Sequence, residues 1–119
     1  MPARLVPADP VEVGLALGRF RSGAADGADL RLLTKHLLAV LVAKAPGGAV
    51  EVRVPPYAVA QCVAGTRHTR GTPPAVVETD ATTWIALAIG DLGWGEAAGD
   101  GRLRVSGERS DLSGLLPLS

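Results

Sequence analysis

Apolar positions follow a helical spacing in the first third of the chain and an alternating one immediately after it. Leu30, Leu33, Leu37 and Leu41 recur at steps of three, four and four, with Leu38 beside them, while Arg31, Lys35 and Lys44 fall largely on the other side. This spacing predicts a helix that packs along one face. Asp26 is placed to cap its start, and Ala45-Pro46-Gly47-Gly48 ends it. Before it, Asp9-Pro10 opens a shorter apolar-rich helix over 11–20, which Ser22-Gly23 breaks.

The period then changes. Val50, Val52 and Val54 alternate with Glu51 and Arg53, which predicts a strand over 49–54 with one buried face. Pro55-Pro56 forces a corner, most simply with Tyr57 packed over it, and a second strand over 57–63 runs back antiparallel. A polar loop spans 64–74, and 74–78 forms a third strand. Asp80 caps a helix over 81–89 that Gly90 stops. One or two helical turns follow over 94–98. Residues 102–105 alternate again, with Leu103 and Val105 inward and Arg102 and Arg104 outward. The tail, 111–118, carries Leu112, Leu115, Leu116 and Leu118, more apolar surface than a frayed terminus holds. Residues 1–8 read as a flexible N-terminus and 9–119 as one domain. The order of elements predicts an α+β fold with helices on one face of a mostly antiparallel sheet.

Composition narrows the function. The chain has 119 residues, 47% hydrophobic, with twelve basic and twelve acidic side chains and zero formal net charge. A general nucleic-acid binder needs a basic excess, and four aromatics are too few for a base-stacking platform. The single cysteine, Cys62, excludes an internal disulfide and any multi-cysteine zinc site. No apolar run approaches the roughly 18 residues of a membrane span, and no signal-peptide pattern precedes the domain. The expectation is a cytoplasmic domain with no integral membrane association.

Several stretches carry a family resemblance. EVRVPPYAVAQCVAG (51–65), RHTRGTPPAVVETD (67–80), TWIALAIG (83–90) and RVSGERSDLSGLLPL (104–118) resemble the actinobacterial branch of the sterol carrier proteins, the bacterial sterol carrier orthologue domain. The resemblance covers roughly residues 9–118. Leu87 to Gly90 (L-x-x-G), and Gly101, Leu103, Val105 and Gly107 (G-x-L-x-V-x-G), are similar to motifs of the wider type 2 family. The resemblance implies a twisted, mainly antiparallel sheet of about five strands covered by helices. It also implies an apolar tunnel for fatty acyl chains, acyl thioesters or sterols. Related modules sit beside a metal-binding four-helix domain, for which this chain has no room, so metal-dependent isomerase chemistry is not implied here.

Two groups of residues are candidates for a site. The loop Arg67-His68-Thr69-Arg70-Gly71-Thr72 gathers two guanidinium groups, an imidazole and two hydroxyls, a set suited to a carboxylate or phosphate. Arg67, His68, Arg70 and Thr72 would then hold an anionic head group. Equally, the arginines would pin the loop by pairing with Glu78, Asp80, Glu108 or Asp111. Trp84, Leu87, Trp94, Leu103, Val105, Leu112, Leu115 and Leu116 would line an apolar cavity or form ordinary core, since both need the same residue types. His36 and His68 are too separated in sequence and setting to suggest a metal pair. Cys62, beside Val63, reads as a small buried residue rather than a nucleophile.

No nucleotide, hydrolase or metalloprotease motif occurs, and no cofactor is expected. The leading reading is non-catalytic binding or transfer of a small apolar or amphipathic ligand. The alternative is an interaction or regulatory module with a closed core, its C-terminal leucines packing against a partner or between the protomers of a homodimer.

Overall fold

The computed structural model describes residues 5–65, 74–107 and 111–118. Helix α1 (Pro10–Arg21) starts where the Asp9 carboxylate accepts the Val11 and Glu12 N–H groups. Helix α2 (Gly27–Lys44) opens with a capping box. The Asp29 N–H donates to Asp26 Oδ1 at 2.9 Å, and the Asp26 N–H donates back to the Asp29 carboxylate. The same Asp29 carboxylate accepts two bonds from Arg19, from Nε at 2.8 Å and Nη2 at 2.7 Å. The Arg19 hydrogen bonds hold the buried Asp29 carboxyl below the usual carboxylate range. One acidic side chain thus caps α2 and fixes α1 across it.

Strands β1 (Val50–Val54), β2 (Ala58–Cys62), β3 (Ala75–Glu78) and β4 (Arg104–Ser106) form one sheet in the order β2-β1-β3-β4. β1 pairs antiparallel with β2 and β3 antiparallel with β4, whereas β1 and β3 run parallel. The fold is α+β. Its sheet is mixed, with four strands among the described residues where the resemblance implied about five. The parallel pair has a local cause. β2 ends beside the start of β1, with Cys62 opposite Val50, and the chain re-enters on the far side of β1 at that same end, with Ala75 opposite Val50. Ala49 ties the junction: its N–H donates to the Val63 carbonyl and its carbonyl accepts from Ala75. Gly47 is required there, because a Cβ would lie 2.2 Å from the Val63 carbonyl oxygen and its φ is +148°.

Only one face of the sheet is well buried. Val50, Val52, Val54, Ala60, Cys62, Ala75 and Val77 share the inner face, and all are buried. On the outer face Arg53, Val59, Gln61 and Arg104 are exposed, and Glu51, Val76 and Glu78 are half-buried. Helix α3 (Ala81–Ile89), capped by the Asp80 side chain at 2.7 Å from the Thr83 N–H, packs against α2. Its Trp84 is 1% exposed, with Nε1 donating to the Thr34 carbonyl at 3.3 Å. Helix α4 (Trp94–Gly99) follows. Thr79 Oγ1 donates to the Arg102 carbonyl at 2.8 Å, binding the end of β3 to the approach into β4. No described helix is long and apolar enough to cross a membrane.

Of the N-terminal segment expected to be flexible, residues 1–4 lie outside the described residues. Leu5 packs against the core, and the Ala8 N–H donates to His36 Nδ1 at 2.9 Å. Partial burial keeps the His36 imidazole below its ordinary pKa of 6.5. Only the neutral ring accepts this bond, so it is intact above about pH 6.5 and lost as pH falls through the depressed His36 pKa. NMR titrations of the His36 ring and the Ala8 amide are expected to move together with a midpoint below 6.5; a midpoint at or above 6.5 contradicts this.

The Thr34 hydroxyl is fully buried with no hydrogen-bond partner among the described residues. Replacing an unpaired buried hydroxyl by a methyl removes a desolvation penalty of about 1–3 kcal/mol. Thr34→Val is therefore expected to be neutral or stabilising in urea unfolding, and a loss of more than about 1 kcal/mol contradicts the assignment.

Candidate functional site

The apolar C-terminal tail folds back onto α3. Gly90 ends α3 in the left-handed region at φ +88°. The Asp91 and Leu92 N–H groups both donate to the Ala86 carbonyl, which turns the chain sharply toward α4. Pro117 fits against this turn, where a Cβ on Gly90 would stand 3.3 Å from it. Leu112, 2% exposed, anchors the tail in the core, and a 3₁₀ turn over Ser113–Leu115 reverses it. The Leu118 N–H donates to the Ala88 carbonyl, and Lys44 Nζ donates to the Leu115 carbonyl, each at 2.9 Å. Between tail, α3 and α4 lies a cleft of about 200 Å³ lined by Leu87, Leu92, Trp94, Leu116 and Pro117 together with Gly90, Gly93 and Ser113.

This cleft brings together Leu87, Trp94 and Leu116 of the eight apolar positions singled out by sequence. Trp84, Leu103 and Leu112 are buried in the core cluster, and Leu115 is half-buried against it. Val105 keeps the inward side predicted for it but is not buried there. It lies opposite Val77 and so on the inner side of the sheet, yet β4 is the edge strand in the sheet order and Val105 is 50% exposed. Arg67, His68, Arg70 and Thr72 lie outside the described residues. Some acids considered as partners for those arginines have other contacts. Asp80 caps α3 and Asp111 accepts from the Ser113 N–H, while Glu78 stands 4.0 Å from Arg104.

Leu92 and Pro117 were not singled out from sequence. The signal available was local: Gly90 and Gly93 bracket Leu92 at a helix stop, and Pro117 interrupts the leucines of the tail. Two further clefts open at the end of the sheet. One of about 290 Å³ lies at the Pro55-Pro56-Tyr57 corner with Val59 and Arg53. Another, of about 330 Å³, is lined by Thr79, Asp80, Arg102 and Arg104, and both include Pro55 and Glu78. Their carboxylates and guanidinium groups offset each other. Cys62 is fully buried, and burial pushes its thiol up to about 11, so it carries no thiolate character at neutral pH. Among the described residues no three His, Cys, Asp or Glu side chains are grouped to hold a metal.

The family model described as bacterial SCP ortholog matches residues 26–118. No curated protein matches the chain. The matched span begins at the cap of α2 and contains the whole tail cleft, while α1 precedes it.

Leu112 holds the tail in place, so Leu112→Ala is expected to lower stability by about 2–5 kcal/mol in urea unfolding and to shift Trp94 emission to longer wavelength. A loss below about 1 kcal/mol, at the low end for core truncations, would show that the tail is not anchored there.

Proposed function

Because the chain belongs to the bacterial SCP ortholog family, we propose that it binds, without catalysis, a small apolar or amphipathic ligand such as a fatty acid or acyl thioester. The observation that carries this reading is the tail cleft, where Leu87, Leu92, Trp94 and Leu116 meet beside polar surface that includes Ser113, and which segment 113–117 closes on one side. Its volume of about 200 Å³ is below the roughly 300–1,000 Å³ of small-molecule pockets. It accommodates the end of a chain, and a longer ligand enters as the tail past Leu112 yields.

The energetics permit that exchange. Beyond Leu112 the tail is held by the Leu118–Ala88 and Lys44–Leu115 hydrogen bonds and by partial burial of its leucines. Hydrogen bonds contribute about 0.5–1.5 kcal/mol each, while an acyl chain gains about 0.8 kcal/mol per buried CH₂. Roughly four methylenes therefore offset both bonds, and further buried methylenes replace the partial burial of Leu115, Leu116 and Leu118. Arg67, His68, Arg70 and Thr72 are proposed for the anionic head group, on the chemistry of their side chains. The second reading, an interaction module with a closed core, is favoured by the filled interior beneath the helices, where Leu33, Leu38, Leu41 and Ile85 are wholly buried around Trp84.

Native mass spectrometry of the purified protein is expected to show a co-purifying lipid mass, and a fatty-acid panel is expected to raise the thermal midpoint. Leu116→Glu places a charge in the cleft wall and is expected to weaken fatty-acid binding by about tenfold or more. A clean apo mass with no thermal shift from any fatty acid would sink the ligand reading and leave the interaction module.

A further inference from the structure

Helix α1 carries two features that the other described residues do not explain. Val11 is 69% exposed and Leu15 59%, and with Val6 at 66% they are three of the five exposed large hydrophobic residues among those described. Gly14 and Gly18 lie within the same helix, where glycine weakens the helix relative to alanine. A Cβ at either position would meet nothing within 4 Å, and neither has a positive φ. Among the described residues, neither internal packing nor backbone conformation calls for glycine at these two places.

The four residues form one stripe. Val11, Gly14, Leu15 and Gly18 follow the three–four spacing of a single helix face. The opposite face, with Ala16 buried and Val13, Leu17 and Phe20 half-buried, packs on the core. Arg19 and Asp29 lock α1 in this orientation, so the stripe stays outward.

We propose that this stripe is the interface of a homodimer in which two copies of α1 pack antiparallel about a two-fold axis. The stripe is self-complementary in one register. Val11 opposes the partner's Gly18 and Leu15 opposes the partner's Gly14, so each large side chain meets a position without a Cβ. Charge selects the direction. Glu12 and Arg19 lie on one flank of the stripe and Arg21 on the other. In the antiparallel arrangement the first flank meets itself reversed, and Glu12 approaches the partner's Arg19. Arg19 uses Nε and Nη2 for Asp29, which leaves Nη1 for this contact. A parallel pair would instead set Arg19 against the partner's Arg21. The twelve residues of α1 span only about 18 Å. This is a small interface, and its dimer forms at about 10 μM to 1 mM.

The test is pairwise disulfide cross-linking with Val11→Cys and Gly18→Cys chains, both at exposed positions, with the native Cys62 fully buried. In the antiparallel register a mixture of the two variants links and neither variant links alone. Two copies of residue 11 would then lie about 10 Å apart along the helix axis, beyond the roughly 7 Å Cα reach of a disulfide. Sedimentation equilibrium on the wild type and Leu15→Glu gives the second readout. The wild type is expected to self-associate in that concentration range, and Leu15→Glu to raise the dissociation constant about tenfold or more. A Val11→Cys chain that links to itself, a wild type that stays monomeric at about 1 mM, or a Leu15→Glu dimer of unchanged affinity would each overturn the proposal.

Discussion

The sheet of this protein is deeply buried on one face only, and the placement of most other elements follows from that. β1, β2 and β3 contribute seven small or β-branched buried side chains to the inner face. None is large enough to fill the space beneath two helices, so the volume comes from above. Trp84 supplies the largest share, with Leu33, Leu38, Leu41 and Ile85 around it. Its indole N–H needs an acceptor once buried, and the Thr34 carbonyl of α2 provides one. That contact sets α3 against α2, and the turn after α3 then directs Leu92 and Trp94 to the place where the tail closes.

The same one-sidedness explains where apolar surface remains. At the edge strand β4, Val105 is on the inner side but half exposed. At the end of α3 the burial is completed by the tail, and its imperfect closure is the cleft. On α1 the apolar stripe faces away from the core altogether. A lipid chain and a second copy of the chain would thus occupy different surfaces, one within the family-matched span 26–118 and one before it. Binding at one need not occlude the other.

Much of the secondary structure was legible because each boundary has a local cause. Asp9, Asp26 and Asp80 mark helix starts by accepting backbone N–H groups, and the valine alternation over Val50–Val54 reports one buried face. The parallel pairing of β1 and β3 was not legible. It depends on which side of β1 the chain re-enters, and strand period carries no information about that. The depth of Asp29 was also hidden, since a helix-start acid usually faces water and here Arg19 neutralises it. For the site, leucine content identified the tail as apolar. Only packing distinguishes Leu112, which is core, from Leu116, which walls the cleft, because both need the same residue type. Leu103 and Val105 looked equivalent by alternation and differ because the second lies on an uncovered edge.

The proposed ligand site is the cleft between the tail and the α3–α4 corner, where an apolar chain would bind. Amide and indole chemical-shift mapping with decanoate addresses it most directly. Binding there shifts Leu87, Leu92, the Trp94 indole and Leu116 and leaves the outer-face residues Arg53, Val59 and Gln61 unmoved. Shifts centred on that outer face, or no saturable shifts at any concentration below the detergent-like range of the acid, would contradict it.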